Sequence, residues 1–162
     1  MVEDAAENLS DTLTVSMPYD IYFFDAFEAY PENTTASSGL LSFTQAHNGN
    51  GNSNQKVVTE GTNQVFSLSG QSNWASDQYI ALPNNLTGII VLEAKIKPVS
   101  GTDPAYLRLF NGSQDTATVL VRDGYWHSRA ADTNTSLGVA YTTDTWYAVK
   151  LAYDTAANTF DI

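Results

Sequence analysis

Short runs of β-branched and aromatic residues recur along this chain, separated by clusters of Gly, Asn, Asp, Ser and Pro. Such spacing is typical of the strands and turns of a β-sandwich or barrel. No run has the apolar period of an amphipathic helix, so the elements of a helical bundle or a βαβ fold are missing. We therefore expect an all-β fold, a two-sheet antiparallel β-sandwich. The predicted strands cover residues 21–27, 64–69, 78–82, 88–97, 105–110, 117–122, 125–130 and 146–153, with residues 159–162 beginning another.

The 162 residues suffice for one compact core and are too few for two comfortable domains. Residues 1–18 mix acids, Ser and Thr with few apolar anchors, which predicts a leader or linker. They lack the basic start and apolar centre of a signal peptide, so any export signal is expected to have been removed. No apolar run approaches the length of a membrane span, and membrane insertion is not expected. A single domain is predicted over residues 19–162.

The excess of acidic over basic residues bears on which partners the chain can bind. The net charge is -11 with seven Lys and Arg, which disfavours nucleic acid because phosphates require clustered cations. Charged residues make up 15% of the chain, and abundant Asn, Thr, Ser and Gly predict a surface of neutral hydrogen-bonding groups. That surface suits sugars or an extracellular protein. The chain has no Cys, which excludes disulfides and zinc–thiolate sites.

Strand alternation assigns side chains to opposite faces. In residues 105–110 it places Tyr106, Arg108 and Phe110 together, against three apolar side chains on the other face. Trp146 lies in an apolar strand pattern and is expected in the core. Residues 44–62, rich in Gly and Asn, are expected to form a long polar loop.

Four segments carry a resemblance to a known family: residues 24–30 (FDAFEAY), 66–70 (FSLSG), 91–98 (VLEAKIKP) and 146–159. Over residues 23–162 the chain resembles the laminin G-like jelly-roll modules of the concanavalin A-like lectin/glucanase superfamily, which bacterial polysaccharide-degrading enzymes carry. The resemblance implies a jelly roll, a secreted or cell-surface location and attachment to a larger multidomain secreted protein. Family members continue beyond a strand like 159–162, so the sandwich is expected to lack its last strands, through truncation or because a neighbouring chain supplies them.

Sugar recognition needs flat aromatic faces together with planar hydrogen-bonding groups. Residues 106–111 and 122–129 supply both, and loop 70–77 contains a further aromatic residue. The predicted ligand-binding residues are Tyr106, Arg108, Arg122, Tyr125, Trp126, His127, Arg129 and Trp74. Three Arg and a His in an acidic chain predict a positive site suited to a uronic acid or sulfated sugar.

The same residues have structural interpretations. The Arg side chains could pair with surface acids (Asp103, Asp115, Asp123 or Asp132), while Tyr106 and Trp126 pack inside the sandwich. Trp74 could equally anchor its loop to the core.

The resemblance also implies a structural Ca²⁺. Asp25 and Glu28 resemble acidic positions that hold the ion in related modules, and a carbonyl near Ser69 or Gly70 could add a ligand. Solvated acids are the alternative.

Catalysis is not expected. A glycoside hydrolase requires two carboxylates on one face, and Glu93 is the only Glu in a predicted central strand. Nucleophile, phosphate-loop and dinucleotide motifs are missing. The remaining enzyme candidate is a polysaccharide lyase using Tyr106, Arg108, Tyr125, His127 and Arg129.

The sequence thus predicts a non-catalytic carbohydrate-binding module or lectin-like adhesion domain with a polysaccharide or other glycan as partner. The first alternative is a structural subunit of an extracellular filament or surface assembly, completed by strands of a neighbouring subunit. The second is the lyase.

Overall fold

A computed structural model describes residues 20–21, 23–35, 38, 44–51, 54–70, 76–101, 104–111, 114–131 and 133–162. These residues form eleven strands and no α-helix, and every strand pairing is antiparallel. The predicted all-β class is confirmed. The chain divides into two compact units, Met1–Leu82 and Pro83–Ile162. The predicted leader, residues 1–18, lies outside the described residues.

The first unit contains two small sheets. Strands β2 (Gln55–Glu60) and β3 (Asn63–Leu68) form a hairpin, while β1 (Thr44–Asn48) pairs with β4 (Ser76–Tyr79). The hairpin closes through a two-residue turn in which Gly61 has a φ of 63°, a left-handed conformation that glycine adopts without strain. Its small core is Val57, fully buried against Phe27, Tyr30 and Phe66.

Two expectations for this unit are wrong. Residues 44–62 are not one long loop, because β1 and β2 lie within them; Gln55 and Val57 alternate inward on β2 although most of their neighbours are polar. The described residues of 21–27 form no strand. The carboxylate of Asp25 accepts a hydrogen bond from the amide of Phe27 at 2.7 Å, and Phe27 has a φ of 64°, which bends the chain out of a strand conformation.

The second unit contains seven strands in two sheets. The order is β6-β7-β8-β9 in the four-stranded sheet and β11-β10-β5 in the three-stranded sheet. The strands are β5 (Ile89–Ile96), β6 (Ala105–Asn111), β7 (Gln114–Arg122), β8 (Tyr125–Ala130), β9 (Thr133–Ala140), β10 (Tyr147–Asp154) and β11 (Thr159–Asp161).

Turn chemistry fixes two of its hairpins. Asp123 and Gly124 join β7 to β8 with φ values of 51° and 82°, the paired positive values that a type I′ turn requires. Asp154 Oδ1 accepts the amides of Ala156 and Ala157 at 2.8 and 3.1 Å and closes the turn between β10 and β11. The predicted strand, turn and further strand at the end of the chain are therefore confirmed.

The apolar faces of the two sheets in this unit pack together, in agreement with a β-sandwich. Buried Val119, Val121 and Trp126 of the four-stranded sheet meet Val149 and Tyr147 of the three-stranded sheet. Burying each Val side chain contributes about 1.5–3 kcal/mol, so this cluster stabilises the unit.

The prediction that Trp146 lies in the core is wrong. Its side chain is 43% exposed, and Lys97 Nζ lies 5.7 Å from its ring centroid. Alternation along β10 instead turns Tyr147, Val149 and Leu151 inward. Tyr147 meets Trp126 edge-on at a centroid distance of 5.5 Å.

Candidate functional site

The four-stranded sheet has a second face opposite the core, which we call the polar face. Cross-strand pairing builds it in rows. One row runs Arg108, Thr118, Arg129 and Asn134; the next runs Tyr106, Leu120, His127 and Ser136. Residues paired across antiparallel strands share a face, so the register brings most of the predicted sugar-binding residues together.

Strand β6 contributes the accessible part of this face. Tyr106 and Phe110 are 43% and 54% exposed, and Arg108 lies between them. The guanidinium carbon of Arg108 is 6.0 Å from the Tyr106 ring centroid and 5.4 Å from that of Phe110, within cation–π range. Because both ring centroids lie within 6.0 Å of the same guanidinium carbon, the two rings are near neighbours along the sheet edge. We call these three residues the aromatic row.

A buried carboxylate lies next to the aromatic row. Asp115 has a side chain 4% exposed; its Oδ1 lies 3.4 Å from Arg108 Nη1 and its Oδ2 lies 2.8 Å from Arg129 Nε. A bulge where β7 passes Leu109 and Phe110 turns Asp115 onto the polar face. Arg122 also pairs with an acid, Asp123, at 3.3 Å, so all three Arg residues form ion pairs, as the structural interpretation expects; Asp115, however, is buried rather than on the surface. Asp103 and Asp132 lie outside the described residues.

The other predicted ligand-binding residues do not all lie on the polar face. Tyr125, 47% exposed, and Arg122 lie where β7 and β8 meet, and His127 lies further along β8 on the polar face. Trp126 does not lie on this face: it is 7% exposed in the core, because it alternates with its neighbour His127. Trp74 lies outside the described residues.

The centre of the polar face is buried and combines polar residues with one apolar residue, Leu120. Thr118 and Leu120 are fully buried. Thr118 Oγ1, both ring nitrogens of His127 and Asn134 Oδ1 are buried with no hydrogen-bond partner among the described residues. A buried polar atom without a partner costs about 1–3 kcal/mol, so these atoms weaken the unit unless water or another group bonds to them.

The two carboxylates expected to hold Ca²⁺ bind other donors. Asp25 Oδ2 accepts the hydroxyl of Tyr30 at 2.8 Å, in addition to the Phe27 amide on Oδ1, and Glu28 Oε2 accepts the amide of Gln64 at 3.1 Å. No three His, Asp or Glu side chains of the described part of the chain are grouped as metal ligands. Because Ca²⁺ requires six to eight oxygen ligands, Asp25 and Glu28 do not form its site by themselves, and Ca²⁺ binding stays a prediction.

One polar cluster in the first unit escaped the sequence analysis. Gln55, fully buried, donates through Nε2 to the carbonyl of His47 and to Ser76 Oγ. His47 Nδ1 in turn lies 2.6 Å from Asp77 Oδ1. These contacts join β1, β2 and β4, a structural role. The sequence carries little signal for these contacts, because β1 and β2 are short and mostly polar.

Comparison with known proteins gives no match: no family model fits the sequence, and no curated protein or solved structure is significantly similar to it. In the described residues, no helix has the length and apolar character needed to cross a membrane.

Proposed function

We propose that this chain is a non-catalytic carbohydrate-binding module or lectin-like adhesion domain that holds an extracellular polysaccharide on its aromatic row. The observation that carries the proposal is the pair of exposed rings, Tyr106 and Phe110, on either side of the Arg108 guanidinium. Aromatic faces stack on the C–H groups of sugar rings, and a guanidinium donates several hydrogen bonds to hydroxyl oxygens.

The position of the aromatic row supports an extended ligand. Among the strands that the structure describes, β6 is an edge strand of its sheet, so the row lies along a border that a polymer chain can follow. Two stacking rings on either side of Arg108 along one strand lose little conformational entropy when the ligand binds, because the strand already holds them in place. We further propose that the sandwich has the jelly-roll topology of the concanavalin A-like modules and that the chain acts outside the cell, attached to a larger secreted protein.

The geometry favours binding over lyase chemistry. Tyr106 and His127 are separated by strand β7, which places them about 10 Å apart at two strand spacings. The ring nitrogens of His127 are buried, whereas a general base must reach the proton that it removes. The two guanidinium groups that would neutralise a uronate are both paired with Asp115.

The experiment is affinity gel electrophoresis against a panel of neutral and acidic polysaccharides. Tyr106→Ala and Phe110→Ala should each weaken binding about tenfold, the equivalent of 1.4 kcal/mol of lost stacking. Trp146→Ala is the matched control, because Trp146 is also an exposed ring beside a cation but lies outside the polar face. A panel with no bound member, or equal losses in all three variants, contradicts the proposal.

A structural subunit is the second candidate, favoured by strand β9. This edge strand is exposed along most of its length and presents Leu137 and Val139, 41% and 55% exposed. An exposed strand edge can pair with another chain. Sedimentation velocity over a hundredfold concentration range tests this: growth of oligomers supports the subunit, and a constant monomer excludes it.

A further inference from the structure

We propose that Asn50 is a site of spontaneous covalent modification, at which the side-chain amide becomes the acid of Asp or isoaspartate in the folded protein, while the neighbouring Asn48 stays intact. The site lies in the turn after β1, in the first unit, and it does not depend on the proposed function.

This turn contains two consecutive Asn–Gly pairs, Asn48–Gly49 and Asn50–Gly51. In such a pair the backbone nitrogen of Gly can attack the side-chain carbonyl carbon of Asn. Glycine favours the attack because it has no Cβ to obstruct the approach and because its backbone is freer than that of any other residue. Asn is accordingly among the thermolabile residues of proteins.

The reaction needs no reagent except water. The backbone nitrogen of Gly51 forms a bond to Asn50 Cγ, the bond from Cγ to Nδ2 breaks, and Nδ2 leaves as ammonia with the proton of the Gly51 amide. The product is a five-membered succinimide ring. Water then opens the ring at either carbonyl carbon: cleavage at Cγ gives Asp, and cleavage at the original backbone carbonyl gives isoaspartate.

The structure leaves Asn50 open to this reaction. Gly49 and Asn50 have φ values of 61° and 66°, and the amide of Gly51 donates to the carbonyl of Asn48 at 3.1 Å, which closes a type I′ turn. Asn50 is exposed, and its side chain makes no hydrogen bond within the described part of the chain. The hydrogen bond of the Gly51 amide must open before the attack, and bonds in surface turns open more readily than those of a core.

Asn48 is held in place, although it also precedes a glycine. Its Oδ1 accepts the amide of Asn50 at 3.1 Å, and its backbone pairs with Ser76 of β4. Gly49 is buried, and a Cβ at this position would collide with the carbonyl oxygen of Ser69. The backbone that would have to rotate for an attack on Asn48 is therefore packed against β3.

The modification changes the turn itself. Isoaspartate inserts an extra carbon atom into the backbone before Gly51, so the bond from Gly51 to Asn48 loses its geometry. The same turn leads to Asn54, whose Nδ2 donates to the carbonyl of Gly49 at 2.7 Å just before β2 begins. The product therefore loosens the connection between β1 and β2 and adds a negative charge to the chain.

The test follows both Asn residues in one sample. The whole protein is incubated in mildly alkaline buffer, once folded and once in urea, and the peptide that contains the turn is sequenced by mass spectrometry against a sample taken at time zero. We expect Asn50 to convert at least about tenfold faster than Asn48 in the folded protein, and both to convert at similar rates in urea. Equal rates in the folded protein, or an Asn50 that converts only in urea, overturn the inference.

Two Gly variants test the mechanism. Gly51→Ala should slow the conversion of Asn50 at least about tenfold, because the new Cβ obstructs the attacking nitrogen. Gly101→Ala is the matched control: a Cβ there meets no neighbouring atom, and the rate at Asn50 should stay the same. Circular dichroism verifies that both variants fold. An unchanged rate in Gly51→Ala overturns the inference.

Discussion

The two faces of the four-stranded sheet are made from alternate residues of the same strands, but they are filled differently. On the core face, Val119, Val121 and Trp126 exclude water by packing against the other sheet. On the polar face, Asp115 is almost as deeply buried, yet it lies between two guanidinium groups. Two neighbouring residues of β8 show the difference: Trp126 packs in the core, whereas His127 lies on the polar face. Burial alone therefore does not identify the core of this unit.

The largest expected effect is on the core face. Trp126→Ala removes the ring that contacts Tyr141 and Tyr147, and the resulting cavity should lower the free energy of unfolding by about 3–5 kcal/mol. Urea unfolding followed by far-ultraviolet circular dichroism measures the loss. Trp146→Ala is the control, since its exposed ring should cost less than about 1 kcal/mol. Equal losses would show that the two Trp residues are packed alike.

The next effect is on the polar face. Asp115→Ala leaves Arg108 and Arg129 without their shared counter-charge and should destabilise the unit by about 2 kcal/mol. This is below the 3–5 kcal/mol of a fully buried pair, because Arg108 remains partly solvated. Asp123→Ala removes a carboxylate that is 72% exposed and should change stability by less than about 1 kcal/mol. Similar values for the two variants would mean that Asp115 is solvated in solution.

Thr118→Val sharpens the comparison with a change of opposite sign. Thr118 Oγ1 is fully buried with no hydrogen-bond partner among the described residues, so the nearly isosteric Val should stabilise the unit by about 1 kcal/mol. The control Thr135→Val, on the exposed strand β9, should change stability by less than about 0.5 kcal/mol. Thermal unfolding of both variants provides the measurement. A loss of stability in Thr118→Val would reveal a water or other group bonded to the hydroxyl.

The smallest effect concerns an ion pair on a wet surface. Lys150 Nζ lies 3.1 Å from Glu93 Oε1 on the outer side of the three-stranded sheet, and both side chains are more than 60% exposed. Lys150→Ala should cost less than about 0.5 kcal/mol, and added salt should remove the difference. A loss of stability close to that of Asp115→Ala would show that an exposed ion pair stabilises the unit as much as a buried one, so that the burial of Asp115 would not explain its effect.

Alternation made much of the second unit predictable. The outward row of Tyr106, Arg108 and Phe110 follows from the sequence alone, and β5 also shows a period of two in its burial. Alternation also places Trp126 and His127 on opposite faces of the sheet, so the two residues cannot both belong to one ligand-binding face. The bulge that turns Asp115 onto the polar face has no sequence signal of its own.

Strands rich in polar residues are the hardest to predict from the sequence. β9 and β1 consist mostly of Thr, Asn, Ser and other polar or small residues, and the two large apolar residues of β9, Leu137 and Val139, are exposed, so a hydrophobic pattern does not reveal either strand. Backbone hydrogen bonds to the neighbouring strands β8 and β4 hold them in place. Residues 21–27 differ from the prediction for another reason, since the local hydrogen bond from the Phe27 amide to Asp25 outweighs the β propensity of their aromatic residues.

The most direct test of sugar binding on the polar face is a nuclear magnetic resonance titration of isotope-labelled protein with an oligosaccharide of the best-binding polymer. The account predicts the largest amide shifts in β6, around Tyr106 to Phe110, with smaller ones in β7 and at Arg129. Tyr106→Ala should shift the titration curve to higher ligand concentration. Shifts confined to the outer side of β5 and β10, or to the first unit, would contradict the account and place the binding surface elsewhere.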